Sequence, residues 1–292
     1  MNHTGRRFVG YGLGATLAGA LGYFGFLYET DADTMTLLSS AEVHLKLASS
    51  MSGSGAQGEL NSVRRDLLEQ AGEFVDRARI QDPNLYVCLE MAAYIDAQRG
   101  RYFEAAELYL AAGSAEGATS ETKSADLLNA VRMWRHAGES GRALDLLDSG
   151  SADLLEKDVA ASQMEKVYVL KDLNRSADAI RVAGEVAKTS DDPIASIDAG
   201  LYLEESAAPA LAEAAFRRAA EGESIANYYL ARLKVRARDF DTGLDLLQHV
   251  VASNRRQVQR LVELDADVWE AVRGDARFTV LFAADKTARP GR

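Results

Sequence analysis

A twelve-residue interval between two compact side chains recurs five times along this chain, and it dictates paired helices. The sets are Ala93, Ala105, Tyr109 and Ala112; Val131, Ala143, Leu147 and Gly150; Val167, Ala179, Ala183 and Val186; Gly200, Ala212, Phe216 and Ala219; and Ala231, Gly243, Leu247 and Val250. Each time, a small or compact residue is followed by Ala or Gly, then by a larger or apolar residue four on, then by a small or apolar one three further. Steps of four and three stay on one helix face. Two antiparallel helices approach closely only where both are small at the crossing, and the later positions fill the space against a neighbouring pair. The first positions lie 38, 36, 33 and 31 residues apart, a period close to 34 with loops of varying length. Each pair leaves an apolar face open, which stacking of the next pair covers.

Composition points the same way. The chain has only 4 prolines, and beyond the first thirty residues it is rich in Ala, Leu, Glu and Arg, all good helix formers. Alternating strand patterns are almost absent, and hydrophobic residues make up 47%, enough for a core. The expected fold class is all-α. The repeating pattern resembles the tetratricopeptide (TPR) repeat family over roughly residues 59–254. Ala or Gly holds at the second-helix position of all five units. The family's aromatic near the start of the first helix is replaced by Leu89, Leu127, Ser196 and Asn227, and its closing proline survives in Asp82-Pro83 and Asp192-Pro193. The resemblance implies an α-solenoid of antiparallel helix pairs. A sixth, partial unit is possible: Ala71, Val75 and Ala78 carry the second-helix spacing, with residues 34–51 as a first helix displaced by the loop SGSGAQG. The end of the chain resembles the closing segment of bacterial TPR proteins through Asp265, Val268, Val272, Arg273, Arg277 and Phe278, which implies a cap with Trp269, Phe278 and Leu281 as its apolar plug. The expected organisation is residues 1–29 as tail and anchor, 30–57 as leading helix and loop, 58–254 as repeats, and 255–292 as cap and tail.

The anchor is FVGYGLGATLAGALGYFGFLY, residues 8–28, without a charge. At about 1.5 Å per residue it spans roughly 30 Å, the thickness of a bilayer's hydrocarbon core. A cleaved export signal is shorter and ends in small residues, whereas this stretch exits through bulky YFGFLY. A single-pass transmembrane helix is therefore expected. Arg6 and Arg7 precede it, and the next basic residue is Lys46. The positive-inside rule puts the N-terminus in the cytoplasm and the body on the other side, periplasmic in a bacterium. The opposite topology stays open. Gly10, Gly14, Ala18 and Gly22 form a small-residue stripe along which two such helices can pack, so a homodimer through the membrane is possible.

Chemistry is sparse. Net charge is −11, and residues 1–28 contribute two positive charges, so the rest carries −13. A body this acidic repels phosphate backbones, and nucleic acid is not an expected partner. The single cysteine, Cys88, excludes an intramolecular disulfide and sits in an apolar helical context, where a small buried hydrophobe is expected. His3, His44, His136 and His249 are scattered, which predicts no metal site. Glu204-Glu205 is a carboxylate pair whose members point about 100° apart on a helix, which reads as a solvated face. No nucleophile, zinc or phosphate-loop motif occurs, and neither catalysis nor a cofactor is expected. The TPR resemblance implies instead that first helices line a groove for a protein or peptide. Its candidate residues are Tyr94, Gln98, Arg132, Arg135, Tyr168, Lys171, Glu205, Tyr228, Arg232 and Arg236. Tyr and Arg are common anchors at such surfaces. Glu90, Leu128, Met164 and Leu201 complete the groove-facing set. The expected function is a membrane-anchored scaffold or adaptor. The alternatives are a self-associating structural subunit of a membrane assembly, or an accessory subunit of an envelope enzyme or secretion complex.

Overall fold

The computed structural model describes residues 32–50, 57–115, 117–149 and 158–282. The proposed anchor, its small-residue stripe, Gly150 and the C-terminal tail lie outside the described residues. Among the described residues there are helices and no strand, and no helix is long and apolar enough to cross a membrane. The chain divides into two units, residues 1–155 and 156–292, each described by itself. The sequence pattern runs on through this boundary without marking it.

Unit 1 holds α1 (Ala32–Ser50), α2 (Gln57–Gln81), α3 (Tyr86–Gln98), α4 (Tyr102–Ser114), α5 (Ser120–His136) and α6 (Ser140–Ser149). They pack in order, each against the next. The sixth unit left open by the sequence is a full helix pair. Ala41 of α1 and Ala71, Val75 and Ala78 of α2 are buried together with Leu38, Leu45, Cys88, Met91 and Ile95. Thr119 starts α5 with a reciprocal cap: its Oγ1 accepts from the Thr122 N–H at 3.2 Å, and its own N–H donates to Thr122 Oγ1 at 2.8 Å.

Unit 2 holds α7 (Val159–Asp172), α8 (Ser176–Thr189), α9 (Pro193–Glu205), α10 (Pro209–Gly222), α11 (Ala226–Arg236) and α12 (Phe240–Leu264), then α13 (Ala266–Trp269), a 3-10 turn (Glu270–Val272) and α14 (Ala276–Phe282). First helices α7, α9 and α11 pack side by side, as do second helices α8 and α10. Asp192 caps α9, accepting from the Ile194 N–H at 2.8 Å, with Pro193 at the first helical position where its missing N–H costs nothing.

The small positions do what their spacing requires. Every described member of the five sets is buried. A Cβ on Gly200 would lie 2.4 Å from Phe216 Cε1, and one on Gly243 would lie 2.7 Å from Val235 Cγ2 and 3.2 Å from the Ala231 carbonyl oxygen. At these two positions an added methyl collides with packed side chains, which is why glycine stands there.

The turn inside each of the five pairs has one geometry. Gly100, Gly138, Asn174, Ala207 and Arg238 all adopt the left-handed conformation, with φ of 78°, 82°, 58°, 57° and 63°. The residue after each donates its N–H back to a helix carbonyl five residues earlier: Arg101 to Asp96, Glu139 to Trp134, Arg175 to Leu170, Ala208 to Leu203 and Asp239 to Lys234, all at 2.8–2.9 Å. This closure satisfies the terminal carbonyls of the first helix and reverses the chain.

The helix α12 breaks at Asn254, whose φ of −135° and ψ of 38° are non-helical. Trp269 and Phe278 are buried and Leu281 packs partly buried against them, forming the apolar plug. The rings of Tyr228, Trp269, Phe278 and Phe282 follow one another at centroid distances of 5.8, 5.9 and 5.2 Å.

Candidate partner-binding surface

In unit 1 the candidates sit on α3 and α5. Tyr94, Gln98, Arg132 and Arg135 are all half-buried. Burial pushes the Tyr94 phenol up, with Arg64 of α2 opposing. Arg64 also donates to the Gln98 side-chain oxygen. Arg132 reaches its neighbour Asn129 at 3.3 Å. Arg64 was not singled out in the sequence because it lies on the preceding second helix. Glu90 and Leu128 of the wider groove-facing set are buried.

In unit 2, Tyr168 is half-buried, while Lys171 and Glu205 are exposed. Lys171 Nζ lies 3.8 Å from a Glu205 carboxyl oxygen and 5.8 Å from the Tyr202 ring centroid. An exposed pair at that distance contributes about 0–1 kcal/mol and leaves both side chains available. Leu201 is half-buried and Met164 is buried.

Tyr228 and Arg232 differ from an open groove position. Tyr228 is fully buried: its hydroxyl donates to Asp265 Oδ2 at 2.7 Å and accepts from Trp269 Nε1–H at 3.2 Å. Burial pushes its phenol well up. The Arg232 side chain is 11% exposed and joins two helices to the cap, with Nη2 at 2.5 Å from Glu204 and Nη1 at 3.0 Å from Asp265. Burial opposes its charge, but Glu204 and Asp265 more than offset this and hold the guanidinium protonated. Arg236, exposed, reaches the other Glu204 oxygen at 2.7 Å. Glu204 therefore departs from the solvated-face expectation: its side chain is 6% exposed and clamped by two arginines, whereas Glu205 beside it is open. The cap covers this end of the first-helix face, so Tyr228 and Arg232 fasten the cap while Tyr168, Lys171, Glu205 and Arg236 remain reachable.

Cys88 is completely buried, and burial pushes its thiol up to about 12, which suits a packing role.

No family model matches the chain, and no curated protein does. Solved structures do: one titled "Functional Characterization of Pseudomonas Aeruginosa pilF" is 16% identical, and the match covers 80% of this chain and 97% of that one with a TM-score of 0.47. At that level the architecture is read from the helix pairs themselves.

Proposed function

We propose that the chain is a TPR-type scaffold that binds a protein or peptide on its first-helix faces and catalyses no reaction. The observation that carries this reading is the set of Tyr, Gln, Arg, Lys and Glu side chains left half-open or open on first helices of both units. The apolar and small residues of the same helices are buried in pairing. Planar and cationic side chains on a rigid helical frame bind extended partners at low entropic cost. Residues 8–28 would tether this array to a membrane, with the N-terminus cytoplasmic and the repeats on the opposite side, periplasmic in a bacterium. The run's length and the Arg6-Arg7 flank support that placement.

Photo-crosslinking residues placed at Tyr94, Gln98, Tyr168 and Lys171 in living cells test the surface, with exposed Arg181 on second helix α8 as control. Discrete crosslinked species from the first four sites and none from Arg181 are expected. Equal labelling from all five would remove the proposed surface. Protease protection of the repeats in intact cells tests the topology.

A further inference from the structure

Unit 1 buries two carboxyl groups beside each other at the joint between its second and third helix pairs. Glu90 of α3 is 7% exposed and Asp126 of α5 is 1% exposed. The Tyr86 hydroxyl faces both carboxyls. Thr122 on α5 meets the Tyr86 hydroxyl, and Tyr109 on α4 senses both carboxyls, with Tyr94 on α3 and Arg132 on α5 beside it. Asp126 is set against α4 where Gly113 leaves room: a Cβ there would lie 3.5 Å from Asp126 Cβ.

The donor inventory falls short. Glu90 Oε2 and both Asp126 oxygens are buried without a hydrogen bond of normal geometry. Tyr86 has one hydroxyl proton to give. Two ionised carboxylates here would repel each other and leave acceptors unmet in a low-dielectric interior. A proton on the pair removes one charge and turns one orphan acceptor into a donor.

We propose that Glu90 and Asp126, with the Tyr86 hydroxyl facing both, hold a shared proton that fastens α3 to α5, so that unit 1 loosens when the proton is lost. The latch is independent of any partner. Burial, then the neighbouring Glu90, pushes the Asp126 carboxyl up to about 8, and burial raises Glu90 as well. In the unfolded chain both carboxyls return to the ordinary range near about 4. Above that pH the unfolded chain gives up protons that the folded unit keeps. Stability therefore declines as pH rises and levels off above about 8, where the folded unit releases its proton too. One proton of difference multiplies the opening equilibrium by about ten per pH unit.

Cys88, the chain's single cysteine, lies on α3 between Tyr86 and Glu90 and reports opening directly. In the full chain, its thiol-labelling rate is measured from pH 5 to 9 relative to that of the unfolded chain at the same pH. The wild-type ratio should climb by about tenfold per pH unit between pH 5 and 8. Asp126→Asn, which has no proton to lose, should flatten the climb, and Glu90→Gln should reduce it. A flat wild-type profile, or the same climb in both variants, overturns the proposal. Should the variants fail to fold, infrared spectra of the wild type decide. A protonated-carboxyl C=O band at pH 6 that vanishes by pH 10 supports the latch, and its absence at pH 6 overturns it.

Discussion

Replacing Ala207 by glycine should stabilise unit 2, although glycine usually weakens helical proteins. Ala207 sits at φ 57° in the turn between α9 and α10, and it is exposed. A non-glycine residue in this left-handed conformation carries a penalty of about 1–2 kcal/mol, because its Cβ crowds the following carbonyl. Glycine removes that strain but gains freedom in the unfolded chain, which returns about 0.4–1 kcal/mol. The Ala207 side chain is exposed, so its removal gives up little buried area. The net expectation is a gain of about 0.5–1 kcal/mol. With a urea m-value of about 2 kcal/mol/M, the midpoint should rise by roughly 0.3–0.5 M without a change of slope. The mirror experiment is Gly138→Ala in unit 1, at φ 82°, where an added Cβ would meet nothing within 4 Å. Its cost is then backbone strain alone, and the midpoint of unit 1 should fall by a similar amount. Arg238→Gly should behave like Ala207→Gly, and Asn174→Gly should gain less, because Asn tolerates the left-handed region. A lowered midpoint for Ala207→Gly, or no loss for Gly138→Ala, would refute the left-handed closure as the source of these effects.

Gly200→Ala should destabilise unit 2 by about 1–3 kcal/mol through overpacking against Phe216, read as a lower urea midpoint. The double variant with Phe216→Leu should recover part of that loss. Tyr228→Phe leaves Asp265 without its hydroxyl donor and Trp269 Nε1–H without its acceptor, at a cost of about 1–3 kcal/mol. Proteolysis should then cut first after residue 264, since the cap is what the hydroxyl fastens. Gly14→Leu tests the self-associating alternative: a shift toward monomer in detergent supports pairing through the stripe, and an unchanged oligomeric state removes it.

Of the three left-handed turn sites without glycine, Ala207 and Arg238 show where sequence reading stops. Gly100 and Gly138 announce their turns, but Ala207 and Arg238 occupy the same conformation with no residue signal. There the five-residue closure of the preceding helix overrides local preference. A similar limit applies to the surface residues. Tyr94, Gln98 and Lys171 remain at least partly open, as helical periodicity suggests. Tyr228 has the same register as a groove residue, yet Asp265, thirty-seven positions later, draws its hydroxyl under the cap.

What the sequence by itself determined is everything that repeats within one helix turn or one helix pair. It fixed the all-α class, the crossing points at Ala105, Ala143, Ala179, Ala212 and Gly243, and the aromatic plug at the end. Those features depend on side-chain size at spacings of three, four and twelve residues, which are local. Tertiary structure alone decided that the chain forms two units, that Glu204 is clamped by two arginines while Glu205 is exposed, and that Glu90 and Asp126 are both buried in unit 1. Burial of a polar side chain depends on which distant segment covers it, and Glu204 lies 28 and 32 positions from the two arginines that clamp it.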